Sequence, residues 1–162
     1  MDIRFADKHD IPVIQQLAYH IWPIAYNNIL LPEQITYMLN LFYAHSVLEK
    51  QFQDGLQFLI AEDKNLPIGF AAFSKKTSDT FHLQKLYILP DFHGNGIGKT
   101  ILQYIRRYIK IKGATAIELN VNRENSAVNF YKKLNFKIIS CENIDIGNGF
   151  WMNDYVMRSE IN

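Results

Sequence analysis

LQKLYILPDFHGNGIGKTILQYIRRYIKIK, residues 83–112, reads as a strand, a tight glycine-rich turn and a long amphipathic helix. The strand part, residues 81–89, is rich in apolar and aromatic side chains and stops at Pro90. Proline lacks an N–H and is poorly tolerated inside a sheet, so it marks the strand end. Gly94, Gly96 and Gly98 follow at alternate positions. Beyond them Ile101, Leu102, Ile105, Tyr108 and Ile109 fall on one helical face, with Arg106, Arg107 and Lys110 off it. Gly113 supplies a helix stop.

Glycines before a helix let the backbone approach a ligand and leave N–H groups without partners. Added to the helix dipole, those donors suit an anion such as a pyrophosphate. The plain alternative is a turn that merely connects two elements. Two nucleotide motifs fail. Gly98-Lys99-Thr100 resembles the tail of a phosphate-binding P-loop, but His93 stands where its first glycine belongs. The dinucleotide pattern G-x-G-x-x-G meets Lys99 in place of its third glycine.

The stretch His93-Gly94-Asn95-Gly96-Ile97-Gly98 resembles the acetyl-coenzyme A signature of the Gcn5-related N-acetyltransferase (GNAT) family, Gln/Arg-x-x-Gly-x-Gly/Ala. His93 departs from the usual Gln or Arg. The preceding LYILPDFHG and the later NVNRENSAVNFYKKLNF are similar to two further family blocks, so the likeness is strongest over residues 79–137. The resemblance implies an α/β fold with a mixed, mostly antiparallel central sheet and helices on both faces. It implies acetyl-coenzyme A as co-substrate and no metal. It places His93, Gly94, Asn95, Gly96, Ile97, Gly98 and Lys99 against the coenzyme, together with Leu86, Tyr87 and Ile88, whose backbone N–H groups polarise the thioester carbonyl. It gives Asn125 and Phe130 coenzyme contacts and puts Tyr131 in the position of the catalytic tyrosine.

Working outward, 162 residues with 48% hydrophobic side chains and a net charge of +1 fit a single N-acetyltransferase domain over 1–162. The charge balance gives no strong basic field, so nucleic acid is not the expected partner. Cys141 is the only cysteine, which excludes an intramolecular disulfide and a cysteine-based metal site. The charged start MDIRFADKHD is unlike a signal peptide, and no apolar run approaches the ~20 residues that span a membrane. A cytoplasmic location without membrane partners is expected.

Toward the N-terminus, residues 3–6 read as a short strand, with Asp7 as helix N-cap and Asp10 near the positive helix end. Ile11, Ile14, Leu17, Ala18 and Ile21 mark a first helix to about Trp22, where Pro23 ends or bends it. Pro32 opens a second helix and Ser46 caps a third ending near Gly55. Trp22, Tyr26 and Tyr37 either line an acceptor pocket, with Glu33 holding an amine, or simply pack helices together. In the resembled family this region forms one wall of the acceptor site. Residues 56–62 and 67–74 form a hairpin around Asp63-Lys64-Asn65, and 80–89 make the strand before the glycine loop.

Beyond the long helix, 114–121 read as a strand and Asn125 as the N-cap of a helix containing Ala127, Phe130, Tyr131 and Leu134. Asn135 stands where most relatives have a C-cap glycine. Residues 136–141 and 150–158 then make two strands around Gly147-Asn148-Gly149.

Acetyl transfer needs an unprotonated amine, a polarised carbonyl and a proton for the departing thiolate. A tyrosine near ~10 is a weak acid toward a thiolate near ~8.5, yet its hydrogen bond still favours the developing charge. Tyr131 carries that role by resemblance; its other reading is core packing. An alkyl amine of pKa ~10.4 pays roughly 4.6 kcal/mol to be neutral at pH 7. His82, which shares one strand face with Gln84 and opposes Lys85, is the candidate base; a hydrogen-bonded structural histidine is the alternative. The acceptor is a primary amine, a polyamine or other small amine, or else a peptide. Glu33, Glu49, Asp145 and Asp154 are the carboxylates available to a polyamine. An idle acyl-coenzyme A sensor, a nucleotide-binding protein and a homodimeric assembly stay open.

Overall fold

A computed structural model of the protein describes all of residues 1–162. The architecture is the expected α/β one, with seven strands in the order β1-β2-β3-β4-β5-β7-β6. The ladders are antiparallel for β1–β2, β2–β3, β5–β7 and β6–β7, and parallel for β4–β5. By compactness the chain divides into two units. One comprises Met1–Ser74 and Lys85–Leu102, the other Lys75–Gln84 and Gln103–Asn162.

The first unit opens with β1 (Asp2–Phe5) and a capped single turn. Asp7 accepts from the His9 N–H, and the Asp10 carboxylate reaches back to the Asp7 N–H. The same Asp10 carboxylate takes a two-bonded Arg4 guanidinium at 2.8 and 2.9 Å. Helix α1 (Ile11–Ala25) buries Ile11, Ile14, Leu17, Ala18, Ile21 and Trp22. It runs through Pro23 rather than stopping there. Proline costs the helix one N–H bond, but the next turn is kept by the Tyr26 N–H donating to the Trp22 carbonyl at 3.0 Å. Helix α2 (Pro32–Tyr43) starts at its proline as expected, and α3 (His45–Gln53) starts one residue before Ser46. Strands β2 (Gln57–Asp63) and β3 (Leu66–Lys75) meet through Lys64 and Asn65, both at positive φ, the geometry of a tight two-residue hairpin.

Strand β4 (Thr80–Ile88) and helix α4 (Ile97–Ile111) each pass from one unit into the other. The second unit adds β5 (Ala116–Asn122), α5 (Ala127–Lys133), β6 (Lys137–Gly147) and β7 (Phe150–Glu160). Strand β6 extends well past the expected residue 141, because Glu142, Asn143 and Ile144 continue the ladder against Asp154, Asn153 and Met152. Those residues lack the apolar alternation that marks a strand, since β6 is an edge strand and largely exposed. Asn135 takes φ +66, the left-handed conformation that ends α5.

Candidate active site

In the first unit, the chain after β4 makes a single turn at Pro90–Phe92 and then the glycine loop. Gly94 and Gly96 hold φ +80 and +73, and a Cβ at either would meet nothing within 4 Å. Both glycines thus face open space, in a conformation that disfavours side chains. The Asn95 amide donates to the Phe92 carbonyl at 3.2 Å, and the Gly96 carbonyl accepts from both the Thr100 N–H and the Thr100 hydroxyl at 3.0 Å. These bonds occupy the Phe92 and Gly96 carbonyls. The N–H groups of residues 94–99 donate to no protein acceptor, which leaves a row of donors at the positive end of a 15-residue helix. An anionic pyrophosphate fits that donor set. His93, the departure from the expected Gln or Arg, donates from Nε2 to the Ile88 carbonyl at 2.9 Å and so ties the loop to the end of β4. The Thr100 hydroxyl is turned back on the helix, away from the metal-binding role a P-loop would give it.

Gly69 of β3 lies against the same strand end. A Cβ there would come within 2.8 Å of the Tyr87 carbonyl oxygen and 2.7 Å of Ile88 Cδ1. The glycine is therefore what lets β3 lie so close to Tyr87 and Ile88.

Trp22 and Tyr26 are buried, 4.8 Å apart between ring centres, and Tyr87 joins them through a 3.0 Å hydroxyl–hydroxyl bond with Tyr26. Tyr43 and Phe70 complete this aromatic cluster. The buried Trp22 N–H has no hydrogen-bond partner. Burial pushes the Tyr43 phenol well up, and neighbouring Tyr26 adds to that. Glu33 lies in the first turn of α2 and is exposed. Lys85, on the strand face opposite His82, carries no role in the sequence pattern. It is only 7% exposed, sits 4.6 Å from the centre of the Tyr43 ring, and has no carboxylate or hydrogen-bond partner. Burial alone lowers its ammonium to about 8.

In the second unit, Asn125 caps α5 one residue earlier than the helix boundary suggests, its Oδ1 accepting from the Ala127 N–H at 2.9 Å. Tyr131 is buried between Phe130 and Phe136, with ring centres 5.1 and 5.5 Å away. Phe130 and Tyr131 are therefore brought together, one turn along the helix that Asn125 begins.

His82 also belongs to this unit, at the parallel pair His82↔Glu118. Its Nε2 lies 3.1 Å from Asn120 Oδ1. Asn120 Nδ2 donates in turn to Glu142 at 2.8 Å and Asp154 at 3.4 Å. Burial lowers the His82 imidazole below its ordinary value, against the opposing pull of the Asn120 bond. Nearby, Glu118 is held by Lys76 at 2.7 Å and Arg158 at 3.4 Å, and the Lys76 bond keeps its carboxyl below the usual range. Burial raises the Asp154 carboxyl, and the like charge of Glu142 adds to that. The sequence reading missed Asn120. Only the strand register brings it to His82, setting it two residues from Glu118 on one face of β5. Nowhere do three or more His, Cys, Asp or Glu side chains gather in a way that would hold a metal ion. Cys141 is free and exposed.

The model of the acetyltransferase (GNAT) domain family matches residues 30–159. A spermidine N(1)-acetyltransferase of Thermoplasma acidophilum is 27% identical over 151 residues, covering 90% of this chain and 93% of that one. The peptidyl-lysine N-acetyltransferase YjaB of Salmonella typhimurium is 33% identical over 84 residues, 51% of each chain. The crystal structure of the PaiA N-acetyltransferase from Thermoplasma acidophilum in complex with coenzyme A superposes with a TM-score of 0.82 at 26% identity, covering 99% of both chains.

Proposed function

We propose that this chain, which belongs to the GNAT acetyltransferase family, transfers the acetyl group of acetyl-coenzyme A to a primary amine of a small polyamine-type molecule. Residues 1–162 are read as one N-acetyltransferase domain, which the family match supports by drawing on both units. The observation that carries the coenzyme half is the glycine loop, with its open positive-φ glycines and unpaired N–H groups. His93, Gly94, Asn95, Gly96, Ile97, Gly98 and Lys99 are assigned to the pyrophosphate. Asn125 and Phe130 are assigned to the rest of the coenzyme. The N–H groups around Leu86, Tyr87 and Ile88 are assigned to the acetyl carbonyl.

Acetyl-coenzyme A supplies an acyl group on a good thiolate leaving group. As the amine nitrogen bonds to the acetyl carbon and the carbon–sulfur bond breaks, two protons must move. His82, neutral at pH 7 because burial lowers it, takes the amine proton and passes it to solvent. The Tyr131 hydroxyl gives a proton to the sulfur and regains one from solvent. Trp22, Tyr26 and Glu33 are assigned to the acceptor side, Glu33 as the exposed carboxylate that draws in a cation.

The small-amine reading is supported by the likeness to the spermidine N(1)-acetyltransferase, which runs over 90% of this chain. Glu142 and Asp154, gathered on Asn120, add negative charge suited to a polycation. A peptide lysine is the second reading, favoured by the higher identity to YjaB over about half of the chain. No helix is long and apolar enough to cross a membrane, and a cytoplasmic enzyme, monomeric or homodimeric, is the working picture. Thiol release from acetyl-coenzyme A in the presence of spermidine, aminoglycosides, amino acids and lysine peptides tests the assignment. Turnover with spermidine and none with peptides is expected; turnover with lysine peptides alone reverses the choice of acceptor.

A further inference from the structure

The orientation of the Asn120 amide follows from its neighbours. Glu142 lies 2.8 Å and Asp154 3.4 Å from the Nδ2 end. Ionised carboxylates only accept hydrogen bonds, so the end of the amide that faces them must be the donor. Turning Asn120 over would set its carbonyl oxygen against Glu142 at hydrogen-bond distance, a repulsive contact. The Oδ1 end is thereby committed to His82, 3.1 Å from Nε2. Oxygen there can only accept, so Nε2 carries the hydrogen. A neutral imidazole has one N–H, which leaves the lone pair on Nδ1. His82 Nδ1 makes no hydrogen bond within the protein.

We infer that Asn120, clamped by Glu142 and Asp154, is a positioning residue that holds His82 as its Nε2–H tautomer and reserves Nδ1 to take the proton of the acceptor amine. The inference rests on the reading of His82 as the base. It adds what that reading lacks: which nitrogen acts and what fixes it. The charged groups facing His82 are Lys76, Glu118 and Glu142. Lys76 is neutralised by its 2.7 Å pair with Glu118, so the choice of tautomer falls to Asn120. Asparagine in this place, unlike a carboxylate, sets the tautomer without stabilising the imidazolium as an ion pair would. Burial, which lowers the imidazole, therefore outweighs the Asn120 bond and leaves the histidine neutral and ready to accept.

The direct test is long-range ¹H–¹⁵N NMR of ¹⁵N-histidine-labelled full-length protein at pH 7.5, which needs no acceptor. It is paired with kcat/KM against pH using acetyl-coenzyme A and spermidine. Wild-type His82 is expected as the Nε2–H tautomer. Asn120→Leu is expected to mix or reverse the tautomers, to lower plateau kcat/KM by about 10-fold or more, and to move the acid limb to lower pH, because the bond favouring the imidazolium is gone. Glu142→Ala, at an exposed position on β6, frees one side of the clamp without opening the interior. It is expected to give a partial tautomer mixture, and it serves if Asn120→Leu fails to fold. A wild-type Nδ1–H tautomer, or a tautomer and pH profile that both variants leave unchanged, overturns the inference. His82→Ala separates the two levels. If it costs activity while the Asn120 and Glu142 variants change nothing, the base stands and the clamp falls. If it costs nothing, the base assignment falls, and this inference with it.

Discussion

Lys85 places its ammonium 4.6 Å from the centre of the Tyr43 ring, inside an aromatic cluster that holds no carboxylate to answer it. A cation–π contact returns roughly 2 kcal/mol at a desolvated site. The lowering from 10.5 to about 8 corresponds to a penalty of about 3 kcal/mol on the charged form. Desolvation wins.

Lys85→Met is therefore expected to stabilise the protein at pH 7 by about 1–3 kcal/mol, in line with other buried charges replaced by apolar groups. Urea unfolding of the two proteins measures it directly. A loss of stability would mean that the ammonium has a partner in solution.

The same lysine gives a pH signature. Between about 8 and 10.5 the unfolded chain holds a proton on Lys85 that the folded chain has released. Stability contributed by this site therefore rises with pH through that window. From pH 7 to pH 9 wild type should gain about 1 kcal/mol relative to Lys85→Met. A constant difference between the two proteins across that range would show that Lys85 keeps an ordinary pKa.

Gly69→Ala is expected to destabilise by about 1–3 kcal/mol, since its Cβ would press on the backbone oxygen of Tyr87 and cannot be relieved by a rotamer change. The residues displaced, Tyr87 and Ile88, are those assigned to the acetyl carbonyl, so kcat should fall as well. Thermal unfolding with parallel kinetics separates the two effects; wild-type values in both would mean that β3 and β4 have room to spare.

At Gly96, with φ +73 and open space around it, aspartate brings both backbone strain and negative charge into the donor row. Gly96→Asp should abolish coenzyme A binding by calorimetry while the fold survives, because no protein atom is displaced. Normal affinity would remove the loop from the coenzyme site.

Tyr131→Phe keeps the packing against Phe130 and Phe136 and removes only the hydroxyl. Turnover is expected to drop about 10²-fold with coenzyme binding intact. Unchanged turnover would return Tyr131 to the core.

Much of this was legible in the sequence because the deciding features are local. Glycines at 94, 96 and 113 are needed at positive φ, and Ile101, Leu102, Ile105 and Ile109 are buried as their helical spacing requires, with Tyr108 half-buried beside them. Asp7 and Asp10 form their capping box within four residues. What escaped is non-local. Lys85 reads as an ordinary surface lysine until the strand partners and helices show what covers it. Asn120, Glu142 and Asp154 come from three strands, and only the registers of β5, β6 and β7 bring them to one place. Pro23 does not end α1, which runs on to Ala25, since a proline near a helix end is tolerated when the following turn recovers its bonds.

Acetyl transfer to an amine is tested by thiol release from acetyl-coenzyme A with spermidine, under conditions where calorimetry has confirmed coenzyme binding. Saturable, stoichiometric release with formation of acetylspermidine is expected. Tight coenzyme binding with no thiol release from spermidine, aminoglycosides, amino acids or lysine peptides would contradict it and leave an acyl-coenzyme A sensor in its place.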